Sequence, residues 1–314
     1  MASAAESRKA IRSQLAPKRG MRGWFEGAST LVCVLAALLT LFVTASIVFL
    51  LGSETVAFFN RPEVTVVSFL TGTRWAPTFA DAAFGVLPLV CGTLIITLGS
   101  ALLAVPLGLG VAIYLTEYAS PRLRSVLKPL LEVLAGIPTV VYGFFGLFYV
   151  TPLLRTFIPG VEVFNALSGS LVVGVMILPM VCSLCDDALS MVPRGLREGA
   201  LALGATRSET VAKVLVPAAL SGIGAAVVLA LSRAIGETMA VTVAAGQQPR
   251  LTWDPRVGIE TMTAYIVQIS KGDTPAGSTA YLTLFAVGFL LFLLTLGLNV
   301  AAARFVKRFR LRYS

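Results

Sequence analysis

The run Leu231-Ser-Arg-Ala-Ile-Gly-Glu237 sets a guanidinium and a carboxylate, Arg233 and Glu237, four residues apart among small and apolar neighbours. On a continuous helix, residues four apart share a face, so this spacing predicts one helix side carrying both charges. A helix begun near Pro217 puts Arg233 about 24 Å along its axis, in the middle or outer half of a bilayer. An isolated charge there is costly, so Arg233 must meet either a partner or a wet path. Two chemistries satisfy that demand. In one, Glu237 closes on Arg233 as a structural ion pair. In the other, the guanidinium, a planar fork of donors that stays charged, receives an oxyanion. Glu237 then holds Arg233 when the path is empty and keeps the anion's well shallow enough for release.

Other reactive side chains offer less. The chain has no histidine, which excludes His-based acid–base catalysis and His-ligated metals. Its four cysteines (Cys33, Cys91, Cys182, Cys185) all lie in apolar runs; Cys182 and Cys185 have redox spacing but read as packing. Asp186-Asp187 reads as a solvated helix end rather than a metal pair, and Glu132 as an interfacial i+4 partner of Lys128. No GxxxxGK[ST] occurs, so no P-loop ATP site is expected, and no cofactor or metal is expected on this chain.

The elements that position Arg233 follow from composition. Of 314 residues, 56% are hydrophobic and only 13% charged, too few charges to cover a soluble protein of this size. Six stretches, 30–51, 82–116, 133–154, 163–185, 214–232 and 279–303, carry no charge and reach about the 20 residues that a bilayer core requires. Lipid leaves backbone polar groups unsatisfied, and the stretches lack period-2 alternation, so they are helices. The expected fold is an all-α integral membrane protein with six transmembrane helices. The polar lead before the first span shows no cleavage pattern, and that span reads as a retained anchor. With both termini on one side, that side holds eighteen Lys and Arg and the other six, with Arg233 between. This asymmetry puts both termini in the cytoplasm. The net charge of +9 then reports topology, and no nucleic acid is expected as a partner. No connection is long enough to bury a catalytic core.

One connection is built as more than a loop. After Asp187, Pro193 suits a helix start, Leu196, Ala200 and Leu203 fall on one face, Gly204 breaks the helix, and Thr206 or Ser208 can cap a second helix running to about Lys213. An interfacial hairpin that only links two spans is one reading. The pattern Glu198-Gly199-Ala200, three residues, Gly204, nine residues, Val214-x-Val216-Pro217 also resembles the coupling motif of ABC importer permeases. That pattern is Glu-Ala-Ala, three residues, Gly, nine residues, Ile-x-Leu-Pro. Gly199 replaces an Ala, and Val214 and Val216 replace Ile and Leu; every spacing is kept. Residues 94–118, 134–147 and 231–241 resemble the phosphate-type members of that family.

The resemblance implies a type I importer permease: a cytoplasmic segment 1–29, a first transmembrane helix 30–51, an outer loop 52–81, a transmembrane domain 82–305 with its coupling segment at 187–216, and a tail 306–314. It implies Arg233 and Glu237 as translocation residues for inorganic phosphate, and Glu198, Gly199, Ala200, Gly204 and Pro217 as the coupling residues. Implied partners are a second homologous permease, an ATPase dimer that hydrolyses ATP in this chain's stead, a solute-binding protein and membrane lipid of the bacterial cytoplasmic membrane. Sulfate and molybdate share phosphate's charge and shape. A stand-alone secondary transporter or channel would show repeated halves, which are not evident, and would leave the coupling segment without a role. An intramembrane enzyme would need a converging carboxylate or metal set.

Overall fold

The computed structural model describes residues 21–310. The chain divides into two units, residues 1–53 and 54–314. Helix α1, Met21–Phe59, crosses that division. The five basic residues at 8, 9, 12, 18 and 19, and Arg312 in the tail, lie outside the described residues.

In the second unit, α2 (Val66–Thr71) and β1 (Trp75–Ala76) lie in the predicted outer loop, and β1 pairs antiparallel with β2 (Ala83–Phe84), just beyond it at the start of the predicted second span. Helix α3, Leu87–Ile113, continues as a π-turn, Tyr114–Tyr118. Next come α4 (Pro121–Ala135), α5 (Thr139–Phe145), a π-turn (Gly146–Val150) and α6 (Thr151–Phe157). Helix α7 spans Ala166–Ser190, capped by Asn165, whose side chain accepts from the Ser168 amide at 2.7 Å. Short helices α8 (Arg194–Ala202), α9 (Arg207–Thr210) and α10 (Val216–Ala218), the last two joined by a π-turn (Val211–Leu215), lead into α11 (Leu220–Ile235). Helices α12 (Met239–Ala245), α13 (Met262–Lys271) and α14 (Thr279–Arg310) complete the described chain.

Among the described residues, five helices are long and apolar enough to cross a membrane, and a sixth span results when Arg207–Ala218 and Leu220–Ile235 count as one bent by 72°. The predicted all-α, six-span architecture is therefore present, with three boundary corrections. The first span extends well beyond 30–51 at both ends. The third does not begin at residue 133, because α4 is a separate amphipathic helix that ends at the C-cap Gly136, just before Pro138. The fifth bends after Pro217, and its axial run starts at Leu220. Proline ends a run of regular helix by removing a donor and clashing with the preceding turn.

Two apolar clusters hold the unit. One joins α3, α7, α11 and α12 through residues such as Ile96, Ala104, Val173, Ile177, Val181 and Ala230. Small residues on α11 (Ala226, Ala230, Ala234) let neighbouring backbones approach, the usual source of packing energy where lipid is as apolar as the helix. Cys182 and Cys185 are fully buried in this cluster, as packing residues should be. The other cluster gathers Phe58, Phe69, Trp75, Phe84, Met262, Tyr265 and Leu282. Its rings meet edge to face, with Trp75 and Tyr265 centroids 4.9 Å apart. The two clusters occupy different stretches of α3: Leu89 belongs to the aromatic one, and Ile96, Ala104 and Ala112 to the other.

Candidate translocation site and coupling segment

Arg233 stands in the last turn of α11, but the helix does not continue to Glu237. Gly236 is its C-cap, and the chain restarts at Met239 after Thr238. Glycine is a poor helix former, and Gly236 ends the regular helix at the break. The Glu237 carboxylate accepts from the Ala240 amide at 3.2 Å and is buried. It serves the start of α12, where a helix N-terminus favours a negative charge. The expectation of two charges on one helix face is thus corrected: a break separates them. Among the described residues, the Arg233 guanidinium makes no hydrogen bond or ion pair, to Glu237 or to any other group.

Arg233 instead lines a cavity of about 300 Å³ together with Lys128 and Glu132 of α4 and Met176, Met180 and Asp186 of α7. The acid nearest the cations is already committed. Asp186 is 1% exposed; it accepts from Thr116 Oγ1 at 2.8 Å, from Arg124 Nη2 at 2.9 Å on both carboxylate oxygens, and from Lys128 Nζ at 3.4 Å. Asp187, exposed, lies 3.5 Å from Lys128. Two more expectations are corrected here. Asp186 is a buried counter-ion, because α4 folds its basic face back onto the end of α7. Lys128 pairs with the two aspartates and makes no ion pair with Glu132. Among the described residues no acidic or thiol group could hold a metal. Lys128 was legible only as a neighbour of Glu132. The signal that could have placed it was the basic stripe Arg124/Lys128, one helical turn apart, matched to an acid ending an apolar run.

The coupling segment forms as its residues dictate. Pro193 caps α8, Gly204 turns the chain at φ +87°, and Thr206 with Glu209 makes a reciprocal capping box on α9. That φ is open to glycine and strained for other residues, so Gly204 fixes the angle between the two helices. Glu198 and Gly199 are exposed, Ala200 is half-buried, and Leu196, Leu201 and Leu203 present side chains outward, Leu203 at 90% exposure. Arg197 pairs with Glu117 in the π-turn that follows α3. Pro217 stands at the 72° bend into α11, so the hairpin and the Arg233 helix are one continuous piece of chain.

Residues 104–311 match the family described as the binding-protein-dependent transport system inner membrane component. The chain belongs to this family. A probable ABC transporter permease protein, YqgH, of Bacillus subtilis (strain 168) is 38% identical over 91% of this chain and 92% of its own length. The phosphate transport system permease protein PstC of Haemophilus influenzae is 35% identical over 87% of this chain and 90% of its own. Among solved structures, a bacterial alginate ABC transporter with a pentasaccharide-bound periplasmic protein has a chain that shares the fold, with a TM-score of 0.61 at 16% identity, covering 91% of this chain and 95% of that one. This binding-protein-dependent permease is therefore a multi-pass protein of the cytoplasmic membrane, with the transmembrane fold of an ABC importer.

Proposed function

We propose that the chain is the permease subunit of an ATP-driven importer of inorganic phosphate, in which Arg233 is the cation that the anion meets inside the bundle. The observation that carries this reading is an arginine in the last turn of a spanning helix, exposed to a cavity that it lines, with no protein anion bonded to its guanidinium among the described residues. A charge so placed is costly unless water or a ligand meets it, and a guanidinium matches two oxygens of a tetrahedral oxyanion at once. Phosphate is favoured over sulfate or molybdate by the PstC relatives, whose names state phosphate transport. Lys128 and Arg124, balanced by Asp186, lie farther along the path toward the coupling segment.

Both termini and the α8–α9 hairpin face the cytoplasm in this reading, in keeping with the excess of basic residues there. The exposed face of Leu196, Ala200, Leu201 and Leu203 seats in a groove of a PstB-like ATPase dimer, with Glu198 and Gly199 beside it. A PstA-like permease pairs with this chain, and a PstS-like solute-binding protein delivers phosphate at the opposite face. ATP is bound and hydrolysed by the ATPase. Closure there moves the hairpin, whose angle Gly204 fixes, and through the bend at Pro217 moves the helix that carries Arg233. Such a lever switches between two packed arrangements rather than deforming continuously.

The test is ATP-dependent uptake of radiolabelled phosphate by the reconstituted complex. Arg233→Gln should lower uptake by up to about a hundredfold, the scale of lost hydrogen bonds to a charged group, with the subunits still co-purifying. Normal uptake by that variant would remove Arg233 from the path, and preference for sulfate or molybdate in the wild type would reassign the substrate.

A further inference from the structure

A second cavity, of about 370 Å³, opens beside the aromatic cluster, lined by Trp75, Gln247, Gln248, Arg250, Glu260 and Gln268 among others. It lies at the other end of the bundle from the coupling segment. Glu260 sits against the first turns of α3, where a Cβ at Gly92 would run into the Glu260 carbonyl, whereas the ion pair to the coupling helix is made at Glu117. Those two positions are separated by about 38 Å of helix.

Two polar atoms in this cavity lack a protein partner although buried: Trp75 Nε1 and Glu260 Oε1. Trp75 is 4% exposed and Glu260 1%. Trp75 comes from the two-stranded pairing, and Glu260 from the connection between α12 and α13, which is pinned by the Ile259 amide on Ala245 O at 3.1 Å and the Gly258 amide on Glu162 Oε2 at 3.0 Å. Among the described residues no ion pair or hydrogen bond is made by that buried carboxyl oxygen. A buried polar group without a partner costs roughly 1–3 kcal/mol, so both atoms call for something the cavity admits.

The donors define the occupant. An indole N–H only donates. Burial pushes the Glu260 carboxyl up to about 8, so near neutral pH it keeps its proton and offers one donor and one acceptor. The three glutamines add carboxamide donors. The charged groups nearby are engaged with one another: Arg250 with Glu162 at 2.9 Å and Arg74 with Asp81 at 2.6 Å, while the Tyr265 hydroxyl bonds Thr283. A neutral acid, an indole and carboxamides together suit a group with several acceptor oxygens and a hydroxyl of its own.

We infer that this cavity is an entry site for a hydroxyl-bearing oxyanion, held by Trp75 Nε1, the Glu260 carboxyl and the Gln247, Gln248 and Gln268 carboxamides before it passes to Arg233. The inference rests on the importer reading for the identity of the anion, hydrogenphosphate. It adds a chemical condition that reading does not contain. Glu260 must be neutral to accept the anion, so the site closes as pH rises and the carboxyl ionises.

The experiment is radiolabelled phosphate uptake, at limiting phosphate, by proteoliposomes holding the whole complex with its solute-binding protein, at external pH from about 6.5 to about 9. The wild type is compared with Glu260→Gln, Trp75→Phe and the exposed pair Gln247→Ala/Gln248→Ala. Phosphate's own ionisation and that of the binding protein are common to all and cancel in the ratios. Glu260→Gln should match the wild type near pH 6.5 and exceed it by about tenfold near pH 9, since it cannot ionise. Trp75→Phe and the double alanine should each lower uptake about fivefold at every pH, the scale of one lost hydrogen bond. A Glu260→Gln ratio that stays flat with pH, together with wild-type uptake by the double alanine, overturns the site; the latter two side chains are exposed, so their loss does not threaten folding. Arg233→Gln is run alongside. If it transports normally, the Arg233 reading fails, while the Glu260 ratio still decides this cavity.

Discussion

The two cavities are electrostatic opposites. Around Arg233 the free group is a base, and the buried acid, Asp186, is bound by Arg124, Lys128 and Thr116. Around Trp75 the free group is an acid, Glu260, and the base on the rim, Arg250, is bound by Glu162. In each cavity a buried or rim charge is bound within the protein and another group is left without a partner, and the Arg233 cavity also holds the exposed carboxylate of Glu132 in its lining. A residue left over at such cost is where a ligand is to be sought, and its form sets the terms: a permanent cation in one place, a proton donor that can be switched off in the other.

The contrast can be broken most strongly at Asp186. Asp186→Asn removes the acid that balances Arg124 and Lys128 and leaves two bases beside Arg233. Loss of one partner from a buried pair costs 3–5 kcal/mol; because the two cations are 37% exposed, about 2 kcal/mol is expected, read as a lowered unfolding temperature of the purified complex. Phosphate should also raise that temperature more than in the wild type, because the added ligand now meets Arg124 without its acid and Lys128 held by Asp187 alone, besides Arg233. Equal shifts in both proteins would show that Lys128 and Arg124 do not face the anion.

Glu237 separates an ion-pair role from a capping role. Glu237→Gln retains an oxygen for the Ala240 amide but loses the charge at the start of α12, so a stability loss of about 1 kcal/mol is expected. Uptake should fall by no more than about fivefold. A loss as complete as that of Arg233→Gln would mean that the two charges act as a pair, despite the break at Gly236.

The smallest effect belongs to Glu162. Its carboxyl is held below the usual range, first by the Gly258 amide and then by Arg250. A lowered carboxylate pKa contributes stability above the ordinary glutamate value, and that contribution is lost as pH falls through the lower, folded value. The pair is well exposed, so its contribution is below about 1 kcal/mol. Below about pH 4, and equally in Glu162→Gln, the connection 246–261 should exchange its amide hydrogens faster, while the amides of α7 stay protected. Unchanged exchange would mean that the loop is held by its backbone bonds alone.

Much of this molecule is written locally and could be read from sequence. Pro193, Gly204 and Thr206 act on the residues next to them, so the hairpin and its glycine turn were legible, as were the spans. Arg233 was legible because a charge in an apolar run needs no context to be conspicuous. What escaped depended on distant chain. Asp186 looked like a solvated end because its partners, Arg124 and Lys128, lie about sixty residues earlier. Trp75 and Glu260 meet across 185 residues, and nothing near either one announces the other. The break at Gly236 is a different case: its residues were visible, but an apolar run favours a continuous helix unless a competing cap is considered. Glu237 is that cap.

The central claim is that an anion occupies the cavity against Arg233. Ser183 lines the same cavity. In a chain whose four native cysteines are replaced by alanine, Ser183→Cys gives a thiol there whose modification by a small charged reagent can be followed in the assembled complex, with and without inorganic phosphate. The account predicts that phosphate slows the modification and that Arg233→Gln abolishes the protection. Protection that is absent, or that persists unchanged without Arg233, would contradict it.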